Sequence, residues 1–458
     1  MNAPLIWILI PGLLAFILAF IRRWERVTIL TGVGVCLALV LAAWRLPIGE
    51  TITIGPLAFE ISDTFEFLGR RFILSQGDQY YLIAIYLATA FWFGGSGAAR
   101  AGRLFVPIGL AIAALLTASL AIEPFLYAAL FIELVALACV PLLSPPGKGV
   151  GRGVMRFLTF QTLGMPFLLF AGWIFTQLEN NPDLTDLQIR AVLFLGLGFS
   201  FLLAIFPFHT WLPMLAEEAH PYINGFVFFM LPSSVALFGL SFLEQYSWLR
   251  ATPQVYSLLR GAGVLMVLIG GGWAIFQRHL GRILGYAVMV EIGMFLLSLG
   301  SAENILAQIA PGPANIPLFF SMFFARFLSL GVWALALSAI RSLVGDLHFS
   351  ATKGIGRQIP FATVSLFLAC LSLVGFPLTV GFPIHFALWN ELVQISPAMT
   401  LASLLGCAGL LLAGIRSLAI LLTGSEETPW QIKETRASLF FLVTGAAIVI
   451  LAGIYMRL

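Results

Sequence analysis

Lysine is almost missing from this sequence: 458 residues hold only Lys148, Lys353 and Lys433. Charged residues of both signs amount to 10% of the chain, where an average soluble protein carries about 25%. Hydrophobic residues amount to 60%, and mean hydropathy is +1.00. A water-facing surface cannot be built from such a composition, so a soluble enzyme is excluded and the bulk of the chain belongs in lipid. Cysteine is scarce too. Cys36, Cys139, Cys370 and Cys407 each lie in a separate apolar run, and no spacing among them suits a metal or an iron–sulfur cluster. No redox centre is therefore expected in this chain. It also offers no phosphate-binding glycine loop, no nucleophilic triad and no nucleic-acid surface.

What the chain has is apolar runs of about 20 residues, the length a helix needs to cross the hydrocarbon core. Runs and breaks place spans near 4–21, 27–46, 79–97, 104–121, 124–143, 154–176, 190–208, 222–242, 258–276, 282–300, 315–339, 361–390, 397–423 and 437–456. The first run lacks a basic n-region and a small-residue cleavage site, so it reads as a retained helix and not a signal peptide. The expected fold is all-α: a polytopic membrane protein of about fourteen transmembrane helices. It forms one transmembrane domain over 1–458, with the lipid bilayer as its surroundings.

The basic residues support that count. Alternate loops carry Arg22, Arg23 and Arg26, then Arg100 and Arg103, then Lys148, Arg152 and Arg156. The series continues through Arg278 and Arg282, then Arg341, Lys353 and Arg357, then Lys433 and Arg436. The opposite loops hold fewer basic residues and most acids, including Glu50, Glu60, Asp63, Glu66, Glu179, Asp183 and Asp186. By the positive-inside rule both termini then lie on the outer face. The longest stretch between spans, 47–77, contains an alternating Thr51-Ile-Thr-Ile-Gly pattern, which predicts a small outer-face hairpin.

Two spans are interrupted. One break reads Phe206-Pro-Phe-His-Thr-Trp-Leu-Pro213, followed by Ala219-His-Pro221, and the other Gly375-Phe-Pro-Leu-Thr-Val-Gly-Phe-Pro-Ile-His385. Proline removes a backbone donor and glycine loosens the helix, so both sites are expected to unwind. Paired interrupted helices point to a transport pathway; the plainer reading is that the prolines only kink two packed helices. Both breaks carry Phe-Pro-x-His, at Phe206–His209 and Phe382–His385.

Ionisable groups at mid-membrane cost roughly 2.5–3.5 kcal/mol each on insertion scales, so each needs a reason. Glu133 sits in the fifth span and reads as a proton relay or as a structural hydrogen-bond or ion-pair partner. Glu291 and Arg326, on the tenth and eleventh, read as a fixed ion pair or as a relay. His385 follows the second break, where an imidazole exchanges protons near neutral pH. His209 lies near a membrane face and reads as a cap on the broken helix. His220, beside Glu217 and Glu218, reads as solvated, and Arg416 as snorkelling to the basic face. No lysine falls in any span.

The run Phe206-Pro-Phe-His-Thr-Trp-Leu-Pro213 followed by Ala219 resembles the signature of the proton-channel (antiporter-like) subunits of respiratory complex I and of the multi-subunit cation/proton antiporters. Further segments agree in order: Leu68-Gly-Arg-Arg-Phe-Ile-Leu-Ser-Gln-Gly-Asp78, Glu123-Pro-Phe-Leu through Glu133, Arg282-Ile-Leu-Gly-Tyr286 through Gly293, and Gly375 to Phe382. The resemblance implies two inverted five-helix repeats, over 104–242 and 258–423, and a chain of buried ionisable groups across mid-membrane. Carried over residue by residue, Glu133 stands at the family's glutamate on helix 5. Its lysine positions on helices 7 and 8 fall on Leu202 and Ser233. The histidine positions of helices 10 and 11 fall on Glu291 and Arg326, and the helix 12 site on His385. The implied proton path is then Glu133, Ser233, Glu291, Arg326 and His385, with His209 at the first break, and Glu133 lacks the lysine that modulates it in the family. The resemblance also implies other membrane subunits of a hetero-oligomeric complex as partners. NADH or another donor, iron–sulfur clusters and quinone are expected only in those subunits. Three roles fit: a redox-driven pump subunit, a subunit of an antiporter or inorganic-carbon uptake complex, and a non-conducting structural subunit.

Overall fold

A helix that is apolar nearly all round is stable when buried on every side, and three such helices form the centre of this molecule. The computed structural model describes residues 2–54, 57–67, 69–144, 147, 149–180, 185–301, 317–424 and 431–455. Leu68, Lys148, Asp183 and the ends of two expected spans, 315–316 and 456, lie outside the described residues. Among the described residues, ten helices are long and apolar enough to cross a membrane, and four shorter apolar helices stand among them.

In chain order the first helices are α1 (Leu5–Phe20), α2 (Glu25–Arg45), α3 (Gln79–Ala99), α4 (Phe105–Ala121), α5 (Ala128–Leu143) and α6 (Arg152–Asn180). Next come α7 (Thr185–Leu202), the short α8 (Trp211–Glu218), α9 (Pro221–Gln245), a single turn α10 (Ser247–Arg250), α11 (Pro253–Phe276) and α12 (Leu280–Ser301). The chain continues through α13 (Pro317–Val344), a turn α14 (Phe349–Thr352), α15 (Pro360–Val374), α16 (Phe382–Ile395), α17 (Pro397–Leu422) and α18 (Arg436–Tyr455). In α9, α12 and α13 the apolar windows are each 89% buried, whereas α2, α7 and α18 are mostly open to the surroundings. Glycine brings backbones together where α11 meets α12: a methyl group on Gly263 would come within 2.7 Å of the Gly293 carbonyl oxygen.

The stretch between α2 and α3 holds more strand than the alternation in its sequence suggested. Thr51–Ile54 (β1) pairs antiparallel with Leu57–Glu60 (β2), and Thr64–Phe67 (β3) pairs with Arg70–Ile73 (β4). Ile122–Glu123 (β5), just before α5, adds to β4, and Arg71 meets Glu123 at 3.5 Å. The single expected hairpin is thus two hairpins, the second completed by a strand distant in sequence. A local pattern of two-residue period cannot reveal such a partner.

Both breaks end their first helix in the same way. After α7, Ala204 turns left-handed (φ 55), Ile205 N–H donates to Ser200 O at 2.9 Å and Ala204 N–H to Phe201 O at 3.4 Å. After α15, Gly375 turns left-handed (φ 76), Phe376 N–H donates to Leu371 O at 2.9 Å and Gly375 N–H to Ser372 O at 3.1 Å. These are paired Schellman caps, with Phe206-Pro207 and Phe376-Pro377 following. The Phe-Pro-x-His echo therefore matched unlike positions: Phe206 lies past a C-cap, whereas Phe382 starts α16. The expected seventh span also ends earlier than 208, at Leu202, because the cap closes there.

Candidate functional site

Among the described residues, the buried charged side chains of α9, α12 and α13 are Glu291 and Arg326. Arg326 of α13 is buried, and its guanidinium donates from Nη2 to the Phe228 carbonyl at 2.9 Å and from Nη1 to Ser233 Oγ, both on α9, at 3.4 Å. Glu291 of α12 is also buried and faces the same space. The two make no direct ion pair. They share a cavity of about 20 Å³, bounded also by Ser233, Met322 and Phe323, which suits one water molecule. A second cavity, of about 10 Å³, continues from Glu291 and Arg326 to Ser329, Ser372 and His385. Ser329 Oγ donates to Ser372 Oγ at 2.7 Å, tying α13 to the end of α15. His385, in the first turn of α16, holds the Gly381 carbonyl through Nδ1 at 2.8 Å, and its buried Nε2 has no hydrogen-bond partner. Ser233, Arg326, Glu291 and His385 therefore form one buried polar axis spanning the centre of the bundle.

Glu133 does not join it. It sits half-buried on α5, with Oε1 accepting from Thr162 Oγ1 of α6 at 2.7 Å and Oε2 buried without a hydrogen-bond partner. Leu202, buried at the end of α7, packs over Gly164 of α6, and its carbonyl accepts from Gln161 Nε2 at 3.3 Å. That amide satisfies a carbonyl freed by the break, as a chain in lipid requires. His209 lies in the short 3-10 turn Phe208–Thr210 before α8, stacked on Phe206 with ring centroids 5.5 Å apart. Its Nδ1 is buried without a hydrogen-bond partner, so that atom caps no helix end, contrary to expectation.

The short α8 anchors the first break through charged and polar contacts to α6, α12 and α13. Glu218 Oε2 accepts from Gly153 N–H at 2.7 Å, at the N-terminus of α6, where a carboxylate suits the helix dipole. Glu217 Oε2 accepts from Arg282 Nε of α12 at 2.7 Å. Arg341 Nη1 donates to Ala219 O at 2.6 Å. His220 is not solvated as expected: burial, and then Arg341, push its imidazole down to about 4. Arg416 donates to the Ile275 carbonyl and lies over the Phe349 ring.

Beside α8 is a cluster that the sequence reading missed. Leu280 N–H donates to Leu347 O and Phe349 N–H to Arg278 O, each at 2.9 Å, which places His279 and His348 opposite each other in a close antiparallel pair. Their rings are 4.7 Å apart, and ligand atoms of His279, Asp346 and His348 lie within 4.8 Å of one another. His279 Nδ1 accepts the Arg282 N–H at 3.3 Å, so the ring proton resides on Nε2, which faces Asp346 at 3.8 Å. The Nδ1 contact caps the first turn of α12, and Asp346 supplies the negative charge beside the ring. Burial pushes His279 down to about 4, against the pull of Glu217. Only the tertiary bridge joins these loops, so no local spacing could have signalled the cluster.

Helices ending at paired internal caps, around a buried line of ionisable and hydroxyl side chains, define an antiporter-like membrane subunit. The family described as NADH:quinone oxidoreductase/Mrp antiporter, transmembrane, matches residues 123–411, and the chain belongs to it. Among curated relatives, it is 25% identical to NADH-quinone oxidoreductase subunit N 2 of Acidobacterium capsulatum, over 66% of this chain and 65% of that protein. It is 23% identical to formate hydrogenlyase subunit 3 of Escherichia coli, over 58% of this chain and 44% of that one. The match thus spans less than two thirds of the length of these relatives. Among solved structures, a chain of the Mrp complex from Dietzia sp. superposes with a TM-score of 0.81 at 15% identity, covering 99% of this chain and 94% of that one. A chain of respiratory complex I from Thermus thermophilus gives 0.74 at 17%, covering 98% and 96%. At these identities the likeness establishes the fold.

Proposed function

We propose that this chain is a membrane-arm subunit of a complex I-like, redox-driven ion pump and contributes to proton translocation. The observation that carries the reading is the buried axis from Ser233 through Arg326 and Glu291 to His385, with water-sized spaces between its members. Buried ionisable groups in lipid are retained where they serve an ion pathway. On this reading the ten long and four short apolar helices make fourteen crossings in two inverted repeats, 104–242 and 258–423. The protein lies in a bacterial inner membrane with both termini outside. Leu202 and Ser233 occupy the family's lysine positions, so protons pass along the axis without a lysine switch. The donor, iron–sulfur clusters and quinone belong to partner subunits.

A second reading, a subunit of a cation/proton antiporter or inorganic-carbon uptake complex, draws on the Mrp likeness over the whole chain. A third, a non-conducting structural subunit, draws on Leu202, which leaves Glu133 apart from the axis. Gentle purification from native membranes, with identification of what accompanies the chain, separates the first two. Iron–sulfur and quinone-site subunits are the expected companions; antiporter or soluble carbon-uptake subunits alone would overturn the redox-driven reading.

A further inference from the structure

Away from the polar axis, α7, α9, α11 and α12 enclose a cavity of about 430 Å³ that is open on one side. Small residues create it: Gly196 on α7, Ala236 and Gly239 on α9, and Ala262 on α11. Among the described residues of its lining, Ser200 alone has a polar side chain, and that hydroxyl already donates to the Gly196 carbonyl at 2.6 Å. A buried water needs two to four polar partners, and this lining offers only the acceptor side of that hydroxyl. Protein interiors do not leave space of this size unfilled. A quinone or nucleotide head group would need convergent polar groups as well, which the lining lacks.

The mouth identifies the source of the occupant. Leu193 and Leu258 line the cavity and are 66% and 62% exposed, which in a membrane means facing acyl chains. We propose that this cavity is a binding site for one acyl chain of a bilayer phospholipid, whose head group stays outside at the mouth. The chain also reaches the first break, because Leu203 and Ile205, on either side of the left-handed Ala204, line the same space. A bound chain therefore packs the side of α7 that, among the described residues, no helix covers, and braces the end of the broken helix.

The test uses the full-length chain in vesicles containing phosphatidylglycerol with a diazirine in its palmitoyl chain. After irradiation, labelled peptides are mapped in the wild type and in Ala262→Phe and Gly196→Leu. A Cβ on Gly196 meets nothing within 4 Å, so the second substitution adds bulk to the cavity from a position with room for it. The proposal expects label in α7, α9 and α11 of the wild type, denser than on the outward face of α18 near Phe440 and Leu451. It expects that label to be lost in both variants, with α18 labelled as before. Label at the cavity no denser than on α18, or retained in a folded filled variant, would overturn it.

Discussion

Arg326 and Glu291 face each other across a space that fits one water, yet the guanidinium bonds to Ser233 and the Phe228 carbonyl and not to the carboxylate. The pair thus balances charge at the centre of the bundle without closing into a direct salt bridge. Removing one member strands the other in low dielectric. Glu291→Gln is expected to cost about 3–5 kcal/mol of stability, and Glu291→Gln with Arg326→Met to recover most of it. Denaturant or thermal unfolding in detergent measures both. A double variant no more stable than the single one would show that the two charges do not compensate each other.

The face around α8 gives a pH dependence with a defined sign. His279 and His220 are each held down to about 4, below the ~6.5 of a free imidazole. Between those values the unfolded chain binds more protons than the folded one. The stabilising contribution is therefore complete above about pH 6.5 and is lost as pH falls towards about 4. Thermal unfolding across that range is expected to show a falling midpoint. In His279→Asn, which keeps an acceptor for the Arg282 N–H, the fall is expected to be shallower. A midpoint independent of pH there would contradict the burial of both rings.

The paired caps make opposite demands on their left-handed residues. Ala204 holds φ 55 with a side chain, at a cost of roughly 1–2 kcal/mol relative to a right-handed residue. Ala204→Gly is expected to be neutral or to stabilise by up to about 1 kcal/mol, since glycine relieves that cost and gives back part as entropy. Gly375→Ala has the reverse effect. It strains the backbone, and the new methyl would lie 2.6 Å from His385 Cβ, displacing the end of the polar axis. Unfolding midpoints of the two variants shifting the same way would argue against equivalent caps.

Much of the fold was legible because lipid imposes a single rule: about twenty apolar residues mark each crossing. The two interruptions were equally visible, since proline and glycine act locally. What stayed hidden depended on distant partners. β5 joins β4 from the far side of two helices, and His279 meets His348 only through a bridge between loops. The candidate site divides along the same line. Glu291, Arg326, Ser233 and His385 stood out as polar residues in apolar runs, and the fold brings them together. Glu133 stood out just as clearly, but its helix turns it towards Thr162 on α6. Ser329 and Ser372, which complete the axis, carry no signal in a sequence where serine is common in helices.

Proton translocation by the native complex in closed vesicles, compared between wild type, Glu291→Gln and Glu133→Gln, tests the buried axis most directly. The protons moved per electron transferred should fall in Glu291→Gln while electron transfer continues. Glu133→Gln should leave the ratio near the wild-type value, because that residue bonds to Thr162 and lies apart from the axis. An unchanged ratio in Glu291→Gln, in a complex that is folded and fully assembled, would contradict the axis as a proton path and leave this chain a structural member of its assembly.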